Sequence, residues 1–184
     1  MVLKFNDLPL DSVQYNGSDL NFLKLNGETI WERYPAGTVV FIFDTPGTYE
    51  FFMPVQGYYR IQIVGGGSDG SSSAAGHAGG YISVTGHFRT YGNHTITVGD
   101  HGSTGGDTSF INGLATSNTI RAGGGTSSSS TLGPTNSTSA IYTIEANVAS
   151  LQQASNYNGN TNGPGAGGLI NSNGHTGIAI ITKI

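Results

Sequence analysis

Four stretches of this chain carry almost nothing to bury, and each is pinned between segments that carry a great deal. They are "GGGSDGSSSAAGHAGG" at 65–80, "DHGSTGGDTS" at 100–109, "AGGGTSSSSTLGPTNSTS" at 122–139 and "NYNGNTNGPGAGG" at 156–168. Around them run "YYRIQIV", "YISVTGHF", "HTITVG" and the closing "TGIAIITKI", dense in β-branched and aromatic residues. Glycine-rich composition alone would suit a disordered chain. A stretch closed by a strand at each end is a loop instead, and all such loops should leave one body. The expectation is an all-β fold: a jelly-roll-like β-sandwich with glycine-rich extended loops. Ordering a residue costs about 1–2 kcal/mol, and glycine loses most, so those loops are expected to stand out from the body and in part to be mobile.

The apolar density is greatest in 38–64. "TVVFIF" is a strand, "DTPG" a turn with Pro46 where its fixed φ suits it, "TYEFFM" a second strand and "PVQG" a second turn. In "YYRIQIV", Tyr59, Ile61 and Ile63 share one face while Arg60 and Gln62 share the other. That much apolar surface predicts a sandwich or barrel core. One segment follows another period. Ile141, Ile144, Val148 and Leu151 lie three or four apart, which predicts a short helix over 142–153 capped by Ser139, although "SAIYTI" also reads as a strand.

The chain opens with a worn repeat. Asn6, Asn16 and Asn26 stand ten residues apart, and glycine follows the last two. The triplets "LKF", "VQY" and "LKL" alternate apolar and polar, and Asn-Gly supplies the backbone of a two-residue hairpin turn. The reading is a small N-terminal β-meander, a docking segment over 1–33, joined through "RYPAG" to a glycine-rich domain over 38–184. About thirty residues of meander are too few to be stable alone. Phe5, Tyr15, Leu23, Leu25 and Trp31 are therefore assigned to docking or oligomer contacts. Trp31 would suit sugar stacking too, but burial at the joint is the stronger reading.

Charge removes several functions. Charged residues are 10% of the chain, net charge is −4 and the seven cations are scattered, so there is no footprint for nucleic acid or an anionic membrane. No stretch approaches the roughly 20 apolar residues of a membrane span, and "MVLKFNDLPL" has no secretory pattern. Cysteine is absent, which excludes disulfides and thiolate metal sites. The sequons at Asn16, Asn93 and Asn136 read as chance. Glycine, at 30 residues, follows no strict three-residue period, so the chain is not collagen.

No catalytic motif stands out. "GGGSDG" lacks a phosphate-loop lysine, and Asp100, His101 and Asp107 fit no calcium-loop spacing and read as turn residues. His77, His87, His94, His101 and His175 form no metal-ligand pair, so no metal and no cofactor is expected. The eleven acids are mostly single, which disfavours a glycan hydrolase. The loops are richer. Serine, glycine, asparagine and threonine with an occasional aromatic make an adaptable contact surface. Asp69, His77, Ser127, Ser128, Asn156, Tyr157, Asn158 and His175 are the assigned contact residues.

Two resemblances bear on this. "FDTPGTYEFFMP", "YRIQIVGGGSDG", "AGGYISV", "TITVGDHGSTGGDTSF" and "GIAIITKI", spanning roughly 38–184, resemble the glycine-rich domain of phage tail and fibre proteins. The "YNG…LNG…W" opening looks like short N-terminal repeats on tail and baseplate-associated proteins. The resemblance implies a β-sandwich core, and relatives in animal receptor ectodomains pack their glycine as polyproline-II bundles. It implies a non-enzymatic virion protein, assembled in the host cytoplasm. Such a protein would be a homotrimer, docked on other virion proteins and facing a bacterial surface glycan or protein. A free or cell-surface carbohydrate-binding module, or a capsid decoration or head-fibre protein, are the alternatives.

Overall fold

A computed structural model describes residues 4–5, 8–9, 13–15, 18–20, 22–26, 28–90, 92–113, 119–126, 135–137, 143–148 and 163–184. Among these the chain is all-β, with no helix. The opening segment forms three hairpins. They are β1 (Lys4–Phe5) with β2 (Leu8–Pro9), β3 (Val13–Tyr15) with β4 (Ser18–Leu20), and β5 (Phe22–Leu25) with β6 (Glu28–Glu32). Each asparagine-led turn is crossed by one pair: Phe5↔Leu8, Tyr15↔Ser18 and Leu25↔Glu28. Asn26 has φ 50, the left-handed backbone of such a turn. The expected single meander is corrected to separate two-stranded sheets. A ten-residue period holds two short strands and their turn, so each repeat closes on itself.

The body is two five-stranded antiparallel sheets. The strands are β7 (Val39–Phe43), β8 (Gly47–Phe51), β9 (Gly57–Val64), β10 (Tyr81–Phe88), β11 (His94–Val98), β12 (Thr108–Ile111), β13 (Thr119–Ala122), β14 (Thr135–Ser137), β15 (Thr143–Val148) and β16 (Ile178–Lys183). The first sheet runs β15-β10-β9-β16-β7 and the second β14-β13-β12-β11-β8. Alternation puts one face of each strand inward. Val84, Ile61, Ile181 and Phe41 form a row across the first sheet. Tyr49, Ile96, Phe110 and Ile120 form a row across the second. Both rows belong to one apolar cluster, which joins the two sheets.

Two local features close that core. The Tyr59 hydroxyl, inside the cluster, donates to the Val55 carbonyl at 2.6 Å. Burial pushes its pKa up to about 12, against the smaller opposing influence of that hydrogen bond. His94 lies among Phe51, Phe88 and Phe110 and is stacked on the last at 5.6 Å. Its Nδ1 accepts from the Gly113 N–H at 3.3 Å, and among the described residues its Nε2 has no partner in hydrogen-bonding geometry.

The helix expected over 142–153 is corrected where the chain is described. Residues 143–148 are β15, an edge strand paired with β10 from Tyr81↔Val148 to Thr85↔Thr143. A lone helix of that length is marginal, whereas the edge of β10 offers a ladder of five pairs with one register shift between Ser83 and Val84. Glu145 adds hydrogen bonds from Arg60, at 2.6 and 3.1 Å, and from Ser83 at 3.0 Å. The Arg60 hydrogen bond holds the Glu145 carboxyl below its ordinary value. Ser139, residue 142 and residues 149–153 lie outside the described residues.

Candidate functional site: the glycine bundle

Where they are described outside the strands, the glycine-rich stretches leave the body from one end. Val64, Tyr81 and Ile178 stand on one rung of the first sheet, and Thr108 with Ala122 closes the second. The two sheet ends are joined beyond the last rung, where Gly80 N donates to Gly123 O and Gly177 N to Gly99 O, both at 2.8 Å. From there the chain makes three out-and-back passes. Residues 65–80 turn at 71–74, 99–107 turn at 102–104, and 163–177 turn at 169–172. Residues 123–126 run outward as a further pass.

These passes do not stand out as separate loops, and that expectation is corrected. Residues 65–68, 76–80, 123–125 and 165–168 are buried. They are buried against one another's backbone. A Cβ on Gly66 would lie 2.1 Å from Asp100 O, and one on Gly124 would lie 1.7 Å from Gly105 O. Without side chains, the backbones approach until N–H and C=O meet.

The central pass reveals the geometry. Gly65 and Ser68 donate to Gly80 and His77, at 3.0 and 2.9 Å. Gly66 and Asp69 donate to Gly106 and Gly102, at 2.8 and 2.7 Å. Gly67 and Gly70 donate to His175 and Ser172, at 2.8 and 2.9 Å. Donors that return to the same neighbour every third residue describe a chain with three residues per turn, the polyproline-II helix. At ~3.1 Å per residue, the five steps from Gly65 to Gly70 carry the bundle about 15 Å from the body. Gly125 and Gly168 complete the ring by donating to Gly66 O and Ser68 O.

The far end is a tip of three turns held by one carboxylate. Asp69 Oδ1 accepts from the Gly174 N–H at 2.8 Å and from His101 Nδ1 at 2.9 Å. One atom of the first pass thus ties down the second and the third. Asp100 Oδ1 accepts from the His101 N–H at 2.8 Å. Asp107 lies apart from that pair. It takes Arg121 and, at 2.9 Å, the Gly124 N–H. Among the described residues no three metal-ligating side chains come together.

The expected contact residues divide on this plan. Asp69 is the half-buried clasp of the tip. His77 is 8% exposed, inside the bundle. His175 is half-buried along the returning third pass, its backbone bonded to Ala166 and Gly67. Ser127, Ser128, Asn156, Tyr157 and Asn158 lie outside the described residues. So do the side chains of Phe5, Tyr15, Leu23, Leu25 and Trp31, whose backbones are in the hairpins.

Sequence reasoning missed Leu169 and Ile170, which are 56% and 54% exposed at the apex of the third turn. A signal was present: two adjacent aliphatics between "GAGG" and "NSNG" have no strand alternation to bury them.

The opposite end of the body takes the N-terminal arm. Lys183, the last residue of β16, donates through its backbone to Thr38 O and accepts from Gly37 N, at 2.8 and 2.7 Å. Its Nζ donates to Glu32 Oε1 at 3.1 Å. Compared with known proteins, the chain matches no family model and no curated protein.

Proposed function

We propose that this chain is a non-enzymatic structural protein of a phage particle, a tail-fibre, tail-tip or baseplate component with a receptor-binding role. In this reading the 1–33 segment docks on other virion proteins, the body is a jelly-roll-like β-sandwich, and copies associate as a homotrimer. The glycine-rich domain of 38–184 carries the adhesin end, which meets a bacterial surface glycan or protein.

The observation that carries the reading is the polarity of the molecule. The arm joins at the Lys183 end, and the bundle leaves from the Val64 end. A rigid spacer with its contact turns farthest from its anchor suits attachment at one end and recognition at the other. Among the described residues of the tip, the Asp69 carboxylate is taken up by His101 and Gly174.

Two experiments test the reading. Mass spectrometry of purified particles should find the chain, and the purified chain should compete with particle adsorption to host cells. A chain that is absent from particles and does not affect adsorption would overturn it.

One observation favours the second reading, a free or cell-surface carbohydrate-binding module. Tyr58 is 60% exposed, with the His87 ring edge-to-face with it at 5.1 Å, an aromatic surface of the kind on which sugars stack. That reading predicts a monomer that binds defined sugars and loses them in Tyr58→Ala. A capsid decoration or head-fibre protein would be separated by where on the particle the chain is found.

A further inference from the structure

We infer that Asn173–Gly174, at the tip of the bundle, is a modification site where asparagine converts to aspartate and isoaspartate, and that the Asp69 carboxylate restrains the reaction by holding the attacking N–H. The inference stands apart from the receptor-binding reading, and water is the only co-reactant it needs.

Six asparagines of the chain precede a glycine, at 16, 26, 112, 158, 162 and 173. That order favours the reaction because glycine, with no Cβ, leaves its nitrogen open to the preceding side chain. The Gly174 nitrogen loses its proton and bonds to Asn173 Cγ. The Cγ–Nδ2 bond breaks, and the amide nitrogen leaves with that proton as ammonia. Water then opens the five-membered imide. Opening at the side-chain carbonyl leaves aspartate. Opening at the backbone carbonyl leaves isoaspartate, whose main chain is one carbon longer.

Two of the six pairs lie wholly among the described residues, and in both a side chain distant in sequence occupies the glycine N–H. Gly113 N donates to His94 Nδ1 at 3.3 Å, and Gly174 N donates to Asp69 Oδ1 at 2.8 Å. The two differ in access. Asn112 is 4% exposed, so burial keeps out the water that opens the imide. Asn173 is exposed, and there the hydrogen bond is the restraint. An amide facing a carboxylate gives up its proton with difficulty, because the anion it would become meets a full negative charge. The bond also fixes the peptide plane, so the nitrogen does not swing toward Cγ.

The tip has no room for the longer product. Gly67 N donates to His175 O and Gly70 N to Ser172 O, at 2.8 and 2.9 Å, so the central pass grips the chain on both sides of the site. An added backbone carbon lengthens the path between those grips by about 1.5 Å. Gly174 has no slack to absorb it, since even a Cβ there would lie 2.6 Å from Gly67 O. Isoaspartate at 173 therefore releases the third pass from the central one and leaves the body folded.

The test follows conversion at residue 173 by peptide mapping of the full-length chain, held at mildly alkaline pH. Folded wild type is compared with the same chain in urea and with folded Asp69→Ala and His101→Ala. Folded wild type should convert at least about tenfold more slowly than the chain in urea, the factor expected of a hydrogen bond to a charged group. Asp69→Ala should convert at least about tenfold faster than folded wild type. His101→Ala removes the other group on Asp69 Oδ1 but leaves the Gly174 bond, so it should convert like wild type.

A folded wild-type rate within about twofold of the urea rate overturns the inference. So does an Asp69→Ala rate like that of wild type, or an equal rise in both variants, which would mean that a loosened tip governs the reaction. Should Asp69→Ala not fold, hydrogen exchange in wild type decides: Gly174 should rank among the protected amides of the tip, and an unprotected Gly174 sinks the idea. Aged wild type carrying isoaspartate at 173 should lose protection at the Gly67 and Gly70 amides and keep it at Ile61 and Ile96. Unchanged protection at Gly67 and Gly70 would overturn the release of the third pass.

Discussion

The body and the bundle solve one problem, the burial of a β-rich chain, by opposite means. In the body, side chains fill the space between two sheets, and Ile61, Ile96, Phe110 and Ile181 are fully buried. In the bundle few side chains lie between neighbouring passes, and most contacts are backbone on backbone. The first arrangement is stabilised by apolar area, at roughly 25 cal/mol per Å². The second has only hydrogen bonds, each worth about 0.5–1.5 kcal/mol net, against about 1–2 kcal/mol to order each residue. The bundle is therefore near balance by itself and depends on strands that pin both ends of its passes. The lesson is an asymmetry: damage to the body should melt the bundle, and damage to the bundle should leave the body.

The largest effect tests the first half of that statement. Phe110→Ala removes a ring from the centre of the second sheet and should cost about 3–5 kcal/mol. In urea the whole molecule should unfold earlier, with bundle amides losing exchange protection in step with the core. If the bundle keeps its protection, it stands alone and the comparison fails.

The second half is tested by adding one methyl group. Gly66→Ala and Gly124→Ala place a Cβ inside a neighbouring carbonyl and should each cost about 1–3 kcal/mol or more, confined to bundle amides. Gly102→Ala, whose Cβ would lie 3.3 Å from Thr104 O, is the milder comparison and should cost clearly less than either. Equal effects at all three positions would mean that the passes are not packed backbone to backbone.

Tyr59→Phe sharpens the body side. It leaves the Val55 carbonyl without its hydroxyl partner and should cost about 1–3 kcal/mol with no change at the tip. The smallest effect is on pH dependence. Burial lowers the His94 pKa from its ordinary 6.5, with the Arg89 backbone opposing to a lesser degree. Above pH 6.5 neither the folded nor the unfolded chain holds the proton. As pH falls from 6.5 toward the depressed folded value, the unfolded chain takes up a proton that the folded chain refuses, so stability declines. Unfolding midpoints between pH 7.5 and 5 should fall for wild type and flatten in His94→Phe. A midpoint that rises on acidification would reverse the assigned direction.

Much of the body was legible in the sequence because a strand's pattern is local. The alternation of Tyr59, Ile61 and Ile63 is visible in five residues, and Asn26 announces its turn by itself. The bundle was half legible. Glycine has no three-residue period over the whole chain, yet Gly99, Gly102 and Gly105 keep one, as do Gly76 with Gly79, Gly165 with Gly168 and Gly174 with Gly177. A period that restarts in each pass is lost when it is sought across them all. The candidate site was least legible. Asp69 was singled out from its loop, but nothing near it in the sequence shows that its carboxylate binds groups 32 and 105 residues away.

Residue type and spacing thus determined the all-β character, the hairpin turns and the placing of glycine stretches between strands, since each depends on backbone preferences within a few residues. Tertiary structure alone decided that those stretches pack together, that 143–148 joins a sheet edge, that His94 is buried and that Leu169 and Ile170 are not. Each of these depends on which distant segment lies alongside. A glycine permits close approach equally to every extended chain, so its neighbours are chosen by the strands that hold its ends.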